Sequence, residues 1–411
     1  MTEPDYSFEN PFRPGAGHMP PYLAGRTDEQ DDFRKALRQT TILENVILTG
    51  PRGVGKTVLL ETFKPIARQA GWLWVGQDLS EAASLTEHNL SERMMADLAV
   101  VTSGMVVRSE TQLQMGFGRE DVEAKHPLGY QALRSIYDAT PGLASDKLKA
   151  VLMFVWRSLA PGSTRGIVFA YDEAQNLADH AKKGQFPLSL MLDVFQSIQR
   201  MDVPYLLVLT GLPTLFPKLV DARTYTERMF HVLFLNQLNE RDSRDAITKP
   251  IEGEGCPITF KTSTVDLILE TSGGYPYFIQ FICREYFDTW LNQNNKGERM
   301  AVVNSDILRK LDTDFFVGRW SRATDRQREL MEVIASLPNC DSEFTVQEVA
   351  DMSKSVLDKP FSRSHVSQML VSLSHAGLVY KNRYGKYLFA VPLLSGFIKR
   401  HMQESWSALP A

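Results

Sequence analysis

Two short stretches hold residue types that could do chemistry together. The first, VILTGPRGVGKTVLL from Val46 to Leu60, places Gly50, Gly53 and Gly55 between an apolar strand and an apolar helix and follows them with Lys56 and Thr57. Glycines reach backbone angles closed to other residues, so their amides can turn inward around an anion at a helix N-terminus. Four residues separate Gly50 from Gly55, Lys56 and Thr57, which is the P-loop spacing: the lysine reaches β- and γ-phosphates and the hydroxyl reaches Mg²⁺. The second stretch, IVFAYDEAQ, ends a buried strand in adjacent acids. Asp172 there can hold Mg²⁺ through water, and Glu173 can orient or deprotonate an attacking water.

Each reading has a structural alternative. A glycine-rich turn can exist without a ligand, but here a strand precedes it and a helix follows. Asp172 and Glu173 can serve as an N-cap and a first-turn acid, which explains one acid more easily than both. Thr210, ending the strand YLLVLTG, is placed either to sense water or γ-phosphate or simply to serve a turn. Phosphoryl transfer also calls for a cation on the transferring group. ARTYTERMFHVLFL offers Arg223 and Arg228 before a further strand; Arg223 reads as a solvated helix end and Arg228 as the cation.

The elements that must position these residues follow from periodicity. From about Pro21 to Leu238, strands NVILT, WLWV, GIVFAYDE, YLLVLTG and HVLFLNQL alternate with helical spacing, as in a parallel sheet covered on both faces. Pro65 is expected to kink or shorten the helix after Lys56. Residues 103–145 break the rhythm, and MVVRSETQLQMGFG reads as an inserted hairpin. From Asn239 to about Trp320 the pattern is helical, with a Gly273–Gly274 pair suited to a helix C-cap. Thr324 with Gln327, and Thr345 with Glu348, are spaced as capping boxes. A third helix, SRSHVSQMLVSLSHAGLV, and two strands around Tyr384 and Gly385 complete a pattern like a winged helix-turn-helix.

The chain has 411 residues and a net charge of −4, unevenly spread. Between Met352 and Arg400, eight basic residues face the single acid Asp358, a local +7 on an otherwise acidic body. Arg363, Ser364, Ser367, Gln368 and Ser374 can face outward from the third helix, and Lys381, Arg383 and Lys386 flank the hairpin tip, which suits DNA phosphates and base edges. Protein docking is the competing use of such a module. Cys256, Cys283 and Cys340 have no paired spacing, so neither a disulfide framework nor a zinc site is expected. Nothing in the sequence suggests a leader or a membrane span, and a cytoplasmic location is the expectation.

These motifs resemble the AAA+ ATPases, within them the initiator-type group of origin-recognition ATPases, archaeal-type ATPases and STAND switch ATPases. GPRGVGKT is similar to Walker A, IVFAYDEAQ to Walker B, LVLTGLP to sensor 1, and YTERMFHVLFLNQL to the arginine-finger box. The resemblance implies a P-loop α/β core with a parallel sheet, a small helical lid and a C-terminal winged helix-turn-helix. It divides the chain at 1–20, 21–238 with the insert at 103–145, 239–320 and 321–411. By it Gly50, Pro51, Arg52, Gly53, Val54, Gly55, Lys56, Thr57 and Val58 bind ATP or ADP, Tyr22, Leu23 and Arg26 lie near the adenine, Thr57 and Asp172 hold Mg²⁺, and Lys56, Glu173, Thr210 and Arg228 serve hydrolysis. Where an initiator ATPase carries a sensor 2 arginine, SGGYPYFIQ sets Pro276 and Tyr277, resembling the Gly-x-Pro motif of STAND proteins. The arginine STAND proteins show after the fourth strand is replaced by Gly211, Leu212 and Pro213. The implied function is a slow ATPase acting as a DNA-associated oligomeric switch; the alternative is a signalling or defence switch that recruits a separate effector protein.

Overall fold

A computed structural model describes residues 9–15, 17–115, 118–159, 162, 164–253, 256, 258–295, 304–383 and 385–407. The chain divides into two compact units, one of Thr27–Thr49 and Leu59–Phe234, the other of Met1–Arg26, Gly50–Val58 and Leu235–Ala411.

In the first unit α1 (Thr27–Ala36) leads into β1 (Asn45–Thr49), and α2 (Lys56–Gln69) into β2 (Trp72–Val75). Then come α3 (Glu87–Thr102), the strand pair β3 (Val106–Met115) and β4 (Gly118–Pro127), α4 (Tyr130–Ala139), α5 (Ala144–Ser158) and β5 (Gly166–Tyr171). The unit closes with α6 (Pro187–Gln199), β6 (Tyr205–Gly211), α7 (Leu215–Ala222) and β7 (Phe230–Phe234). Five strands form one sheet in the order β2-β5-β6-β1-β7, every pair parallel. Strands β1, β5 and β6 are buried along their whole length, which is why they read as unbroken apolar runs. Parallel strands put all their C-terminal ends on one edge, so Thr49, Asp172 and Thr210 share that edge.

Helix α2 is not shortened by its proline: it continues through Pro65 to Gln69. The amide Pro65 lacks would have bonded the carbonyl of Glu61, an exposed residue whose carbonyl water can satisfy. The expected hairpin pairs antiparallel from Val106 with Pro127 to Met115 with Gly118. Within the expected insert α4 buries Leu133 and Tyr137 in the core of the sheet, and α5, which runs beyond it, buries Leu148 and Val151 there.

A polar knot lies beneath that core. Asn45 is fully buried; its Oδ1 accepts from Gln199 Nε2 and from the Leu207 amide, both at 2.8 Å. Gln199 Nε2 also donates to the Tyr205 carbonyl at 2.7 Å, and the Asn45 amide to the Met229 carbonyl at 2.8 Å. One side chain thereby joins β1 to α6, β6 and the approach to β7.

Asp97 on α3 is a second buried polar group, 4% exposed, accepting from Gln77 Nε2 at 2.9 Å and Arg93 Nε at 3.0 Å. Burial outweighs both donors and raises its carboxyl pKa above the usual 3.8. A raised folded-state pKa means that stability is fully present below the unfolded value and is lost as pH rises through the folded one. Asp97→Asn removes that loss, so the melting temperature of the variant relative to wild type should climb between pH 4 and pH 7. Thermal melts across that range check it; a flat difference would show that Arg93 and Gln77 fully offset the burial.

In the second unit, Asn10 Nδ2 donates to Asp288 Oδ1 at 2.7 Å, and Phe12 is buried against Phe260 and Phe287. Helices α8 (Glu240–Thr248), α9 (Thr262–Ser272), α10 (Pro276–Asn295) and α11 (Asn304–Leu311) form the lid. Gly273 ends α9 in a left-handed conformation, φ 57°, as the glycine pair predicts. A π-helical turn over Asp312–Val317 and the short α12 (Gly318–Trp320) lead to α13 (Asp325–Ala335), β8 (Phe344–Thr345), α14 (Val346–Val356) and α15 (Arg363–His375). Strands β9 (Val379–Arg383) and β10 (Lys386–Phe389) and helix α16 (Leu394–Ser407) complete the chain. Both capping boxes form, at α13 and α14. Three helices with a sheet ordered β8-β10-β9 make a winged helix-turn-helix arrangement; Tyr384 at its tip lies outside the described residues. Arg400, counted among the basic residues of this module, is spent on a two-pronged bond to Asp312 at 2.8 and 2.5 Å. Among the described residues no helix is long and apolar enough to cross a membrane.

Candidate nucleotide site

The phosphate loop belongs to the second unit. Gly50, Gly53 and Gly55 take φ of 154°, 79° and 88°, the positive values their spacing predicts. A Cβ on Gly55 would meet nothing, so glycine serves conformation there; a Cβ on Gly53 would stand 3.2 Å from Tyr277 Cβ, so space is also short. Lys56 Nζ donates to the Gly50 and Pro51 carbonyls at 2.9 and 2.8 Å. Helix α2 starts at Lys56 with no acid in its first turn, so its orphan amides and positive dipole end meet no competing anion of the helix itself. Thr57, Val58, Pro51 and Arg52 are half-buried and Val54 is buried. The donor set fits the phosphates of a nucleotide.

Two contacts brace this loop that the sequence alone does not suggest. Arg26 is 7% exposed, and its guanidinium donates to the carbonyls of Val54 at 3.0 Å and Asn236 at 2.8 Å. It therefore ties the loop to the segment entering the lid. Tyr22 is exposed and Leu23 half-buried, four and three residues before it. Pro276 opens α10, where its missing amide costs nothing, and the next amide, that of Tyr277, donates to the Gly53 carbonyl at 3.1 Å. The Arg52 amide is 3.5 Å from the Ala390 carbonyl of the winged helix. Arg319 lies over the Phe315 ring at 3.9 Å, its charged form disfavoured first by burial and then by Arg52 and Arg322. Nothing in the sequence marks Arg319, because only the π-helical turn sets where it points.

The acids belong to the first unit. Asp172 is 3% exposed, its Oδ1 accepting the Glu173 amide at 2.7 Å and its carbonyl the Leu79 amide at 2.9 Å. Glu173 sits in the left-handed region, φ 52° and ψ 33°, a conformation a side chain adopts at about 1–3 kcal/mol where surrounding structure enforces it. Only a 3₁₀ turn, Ala174–Asn176, follows, and Glu173 makes no capping bond to it. The Glu173 carboxylate instead accepts from Gln175 Nε2.

The hydroxyls of Thr49 and Thr210 are buried with no hydrogen-bond partner among the described residues. They end adjacent strands, Leu48 pairing with Thr210 and Thr49 with Gly211. A buried orphan hydroxyl costs about 1–3 kcal/mol, so this strand edge is built for water, phosphate or a hydrated cation. Thr210 was expected there; Thr49 was not, although its place as the last residue before Gly50 is the signal that finds it.

The two arginines before β7 differ sharply. Arg223 holds Asp193 through two bonds, at 2.9 and 2.8 Å, and Tyr225 Oη donates to the same carboxylate. These donors keep the Asp193 carboxyl below its usual range although burial opposes them. Arg228 is exposed and makes no ion pair among the described residues. It lines a groove of about 470 Å³ with Thr41, Gln196, Arg200 and Asp202.

Residues 22–220 match the AAA ATPase domain family, and residues 313–398 match a domain family of unknown function, DUF8462. No curated protein matches the chain in sequence. Among solved structures it is similar to a Walker-type ATPase of Pyrococcus abyssi, at 14% identity and a TM-score of 0.58, covering 92% of this chain and 96% of that one. It is also similar to the ORC2 protein of Aeropyrum pernix in its ADP form, at 14% identity and a TM-score of 0.55, covering 97% and 100%. Residues 22–220 thus match the AAA ATPase domain family, and over more than nine-tenths of its length the chain shares its fold with these two proteins.

Proposed function

We propose that this protein binds ATP, hydrolyses it slowly, and uses the bound nucleotide to govern a DNA-associated assembly of its own copies. The observation that carries the reading is the phosphate loop of the second unit, with Gly50, Gly53 and Gly55 at positive φ; in the first unit, taken by itself, Asp172 and the buried hydroxyls of Thr49 and Thr210 share one strand edge. In this reading the loop from Gly50 to Val58 holds the phosphates, and Tyr22 and Leu23 flank the adenine. Arg26 supports the loop from behind. Thr57 and Asp172 hold Mg²⁺, which supplies charge neutralisation for the phosphates when bound. Glu173 takes the proton of the attacking water, and Thr210 orients that water.

DNA contact falls to the winged helix. On α15 Arg363, Ser364, Gln368 and Ser372 are exposed together with Val371 and His375, Ser367 is half-buried, and Lys381 is exposed on β9; the polar ones are groups that meet phosphates and base edges. Ser374 is half-buried with its hydroxyl on the Leu370 carbonyl at 2.7 Å, which removes it from the reading face. The side chain of Arg383 lies outside the described residues.

The second reading, a switch that recruits a separate effector protein, draws on a specific observation. The phosphate loop, the lid and the winged helix form one compact unit, with the Tyr277 amide on the Gly53 carbonyl. A lid that meets the loop through backbone rather than through a cation suits a slow, nucleotide-held switch.

Light scattering of wild type and Glu173→Gln with ATP, with and without duplex DNA, separates the two. Glu173→Gln keeps the loop and removes the base, so it should trap the ATP-bound state. Under the first reading ATP and DNA together convert monomers into a larger assembly. Arg228→Ala should abolish that assembly and cut DNA-stimulated turnover by about 10²- to 10³-fold with ATP binding unchanged, since an arginine finger is worth about 10³ to 10⁵ in GTPase systems. A protein that stays monomeric and ignores DNA sinks the first reading and leaves the second.

A further inference from the structure

Glu173 is a base without a helix to hold it. Its backbone is left-handed and the turn after it is a single one of 3₁₀ type, so the direction of its carboxylate must come from elsewhere. The only hydrogen bond to that carboxylate among the described residues is from Gln175 Nε2. Gln175 is itself held at two further atoms: its Oε1 accepts from the Leu212 amide at 3.1 Å, and its backbone carbonyl accepts from Lys218 Nζ at 2.7 Å. The fit against β6 is close, since a Cβ on Gly211 would come within 2.7 Å of Gln175 Oε1. On the far side Asn176 Nδ2 donates to the Leu79 carbonyl at 2.9 Å, which fastens the same turn to the segment after β2. The charged groups around the carboxylate are Asp172, adjacent in the chain, and Lys218, held on the turn's own carbonyl.

We propose that Gln175 is the positioning residue of the hydrolytic base, and that it ties the direction of Glu173 to the end of β6. One end of the amide holds the carboxylate and the other holds the first backbone amide after Gly211, one residue beyond the strand end that carries Thr210. The two groups that would face the attacking water, Glu173 and Thr210, are thus set relative to each other by one planar amide. Gln175 touches neither nucleotide nor water; it acts through Glu173. Misplacing a reacting group by about 1 Å can cost 10²-fold in rate, and loss of this amide is expected to act through that effect alone.

This inference rests on the ATPase reading, and the test separates the two. Steady-state and single-turnover hydrolysis and ATP affinity are measured for wild type, Gln175→Ala, Gln175→Met, Glu173→Gln and the double variant Gln175→Met with Glu173→Gln. Gln175→Met keeps the length and bulk of the side chain while removing both donor and acceptor, which guards against simple loss of folding. The expected result is a fall in kcat of about 10- to 100-fold for both Gln175 variants, with KM and ATP affinity within about twofold of wild type. In the Glu173→Gln background Gln175→Met should then change nothing further, because residues acting as one unit are non-additive. An unchanged or faster kcat, an effect carried by KM, or an equal further loss in the Glu173→Gln background would each overturn the assignment of Gln175. If Glu173→Gln hydrolyses ATP as fast as wild type, it is the ATPase reading itself that has failed.

Discussion

Lys56→Ala should weaken ATP binding by about 100-fold while leaving the fold intact. The ammonium lies at the start of α2, and its contacts with the Gly50 and Pro51 carbonyls, at 2.9 and 2.8 Å, hold it at the mouth of the loop. Phosphate oxygens at the same place would replace neutral carbonyls with charged acceptors, and charge-assisted bonds are roughly twice as strong. Removing one partner of such a desolvated pair costs about 2–5 kcal/mol, of which about 3 kcal/mol is a 100-fold change in Kd. The same substitution takes one donor from two loop carbonyls, so the melting temperature without nucleotide should move by no more than a few degrees. Lys56→Arg should not restore binding, since a planar fork does not replace a compact ammonium in a loop closed around it. Titration of a fluorescent ATP analogue measures both variants. Near-wild-type affinity in Lys56→Ala would mean that the loop amides alone hold the phosphates.

Asn45→Ala should be the most damaging single change to the first unit, costing about 3 kcal/mol. The substitution leaves the Leu207 amide and the Gln199 amide buried with lost partners, and each unsatisfied buried group costs about 1–3 kcal/mol. For a unit of this size about 3 kcal/mol lowers the melting temperature by roughly 6–12 °C. Gln199→Ala should be less costly, and the double variant should fall well short of the sum, because the two side chains share one network. Denaturation of the three proteins in parallel checks this; strict additivity would show that the two amides act independently. Because the knot lies at the opposite end of β1 from Thr49, ATP affinity of the folded fraction should stay unchanged.

The parts of the molecule legible in the sequence are those decided by neighbours along the chain. A buried strand, three glycines, a lysine and an apolar helix announce the phosphate loop because the local backbone needs them, and the glycines do take positive φ. Capping boxes at Thr324 and Thr345 are likewise contained within four residues. What stays hidden depends on partners far away in the chain. Arg26 reads as an adenine-side residue until its guanidinium is found on Val54 and on Asn236, 210 positions away. Gln175 reads as an ordinary polar residue after two acids until the Leu212 amide is placed beside it. Helix α4 fell within the expected insert because the stretch from Ser103 breaks the strand-helix rhythm, yet its Leu133 and Tyr137 are core. Pro65 does not shorten α2, which continues to Gln69, because the carbonyl it leaves unbonded belongs to exposed Glu61. Arg223 read as a solvated helix end, yet it is half-buried and held by Asp193, 30 positions back in the chain.

The crowding of Arg52, Arg319 and Arg322 has a consequence for how the second unit answers to its solution. None of the three has a carboxylate partner among the described residues, and the charge of Arg319 is disfavoured first by burial and then by Arg52 and Arg322. Mobile ions shorten the reach of that repulsion, to about 8 Å at physiological ionic strength and about 3 Å at 1 M. The second unit is therefore held under an internal electrostatic pressure that dilute buffer leaves in place and concentrated buffer relieves. A multivalent anion settling at that edge relieves it more fully than simple ions do, and by linkage the folded form gains RT ln(1 + [L]/Kd) for doing so. Any polyanion that settled there would therefore stabilise the second unit as it bound.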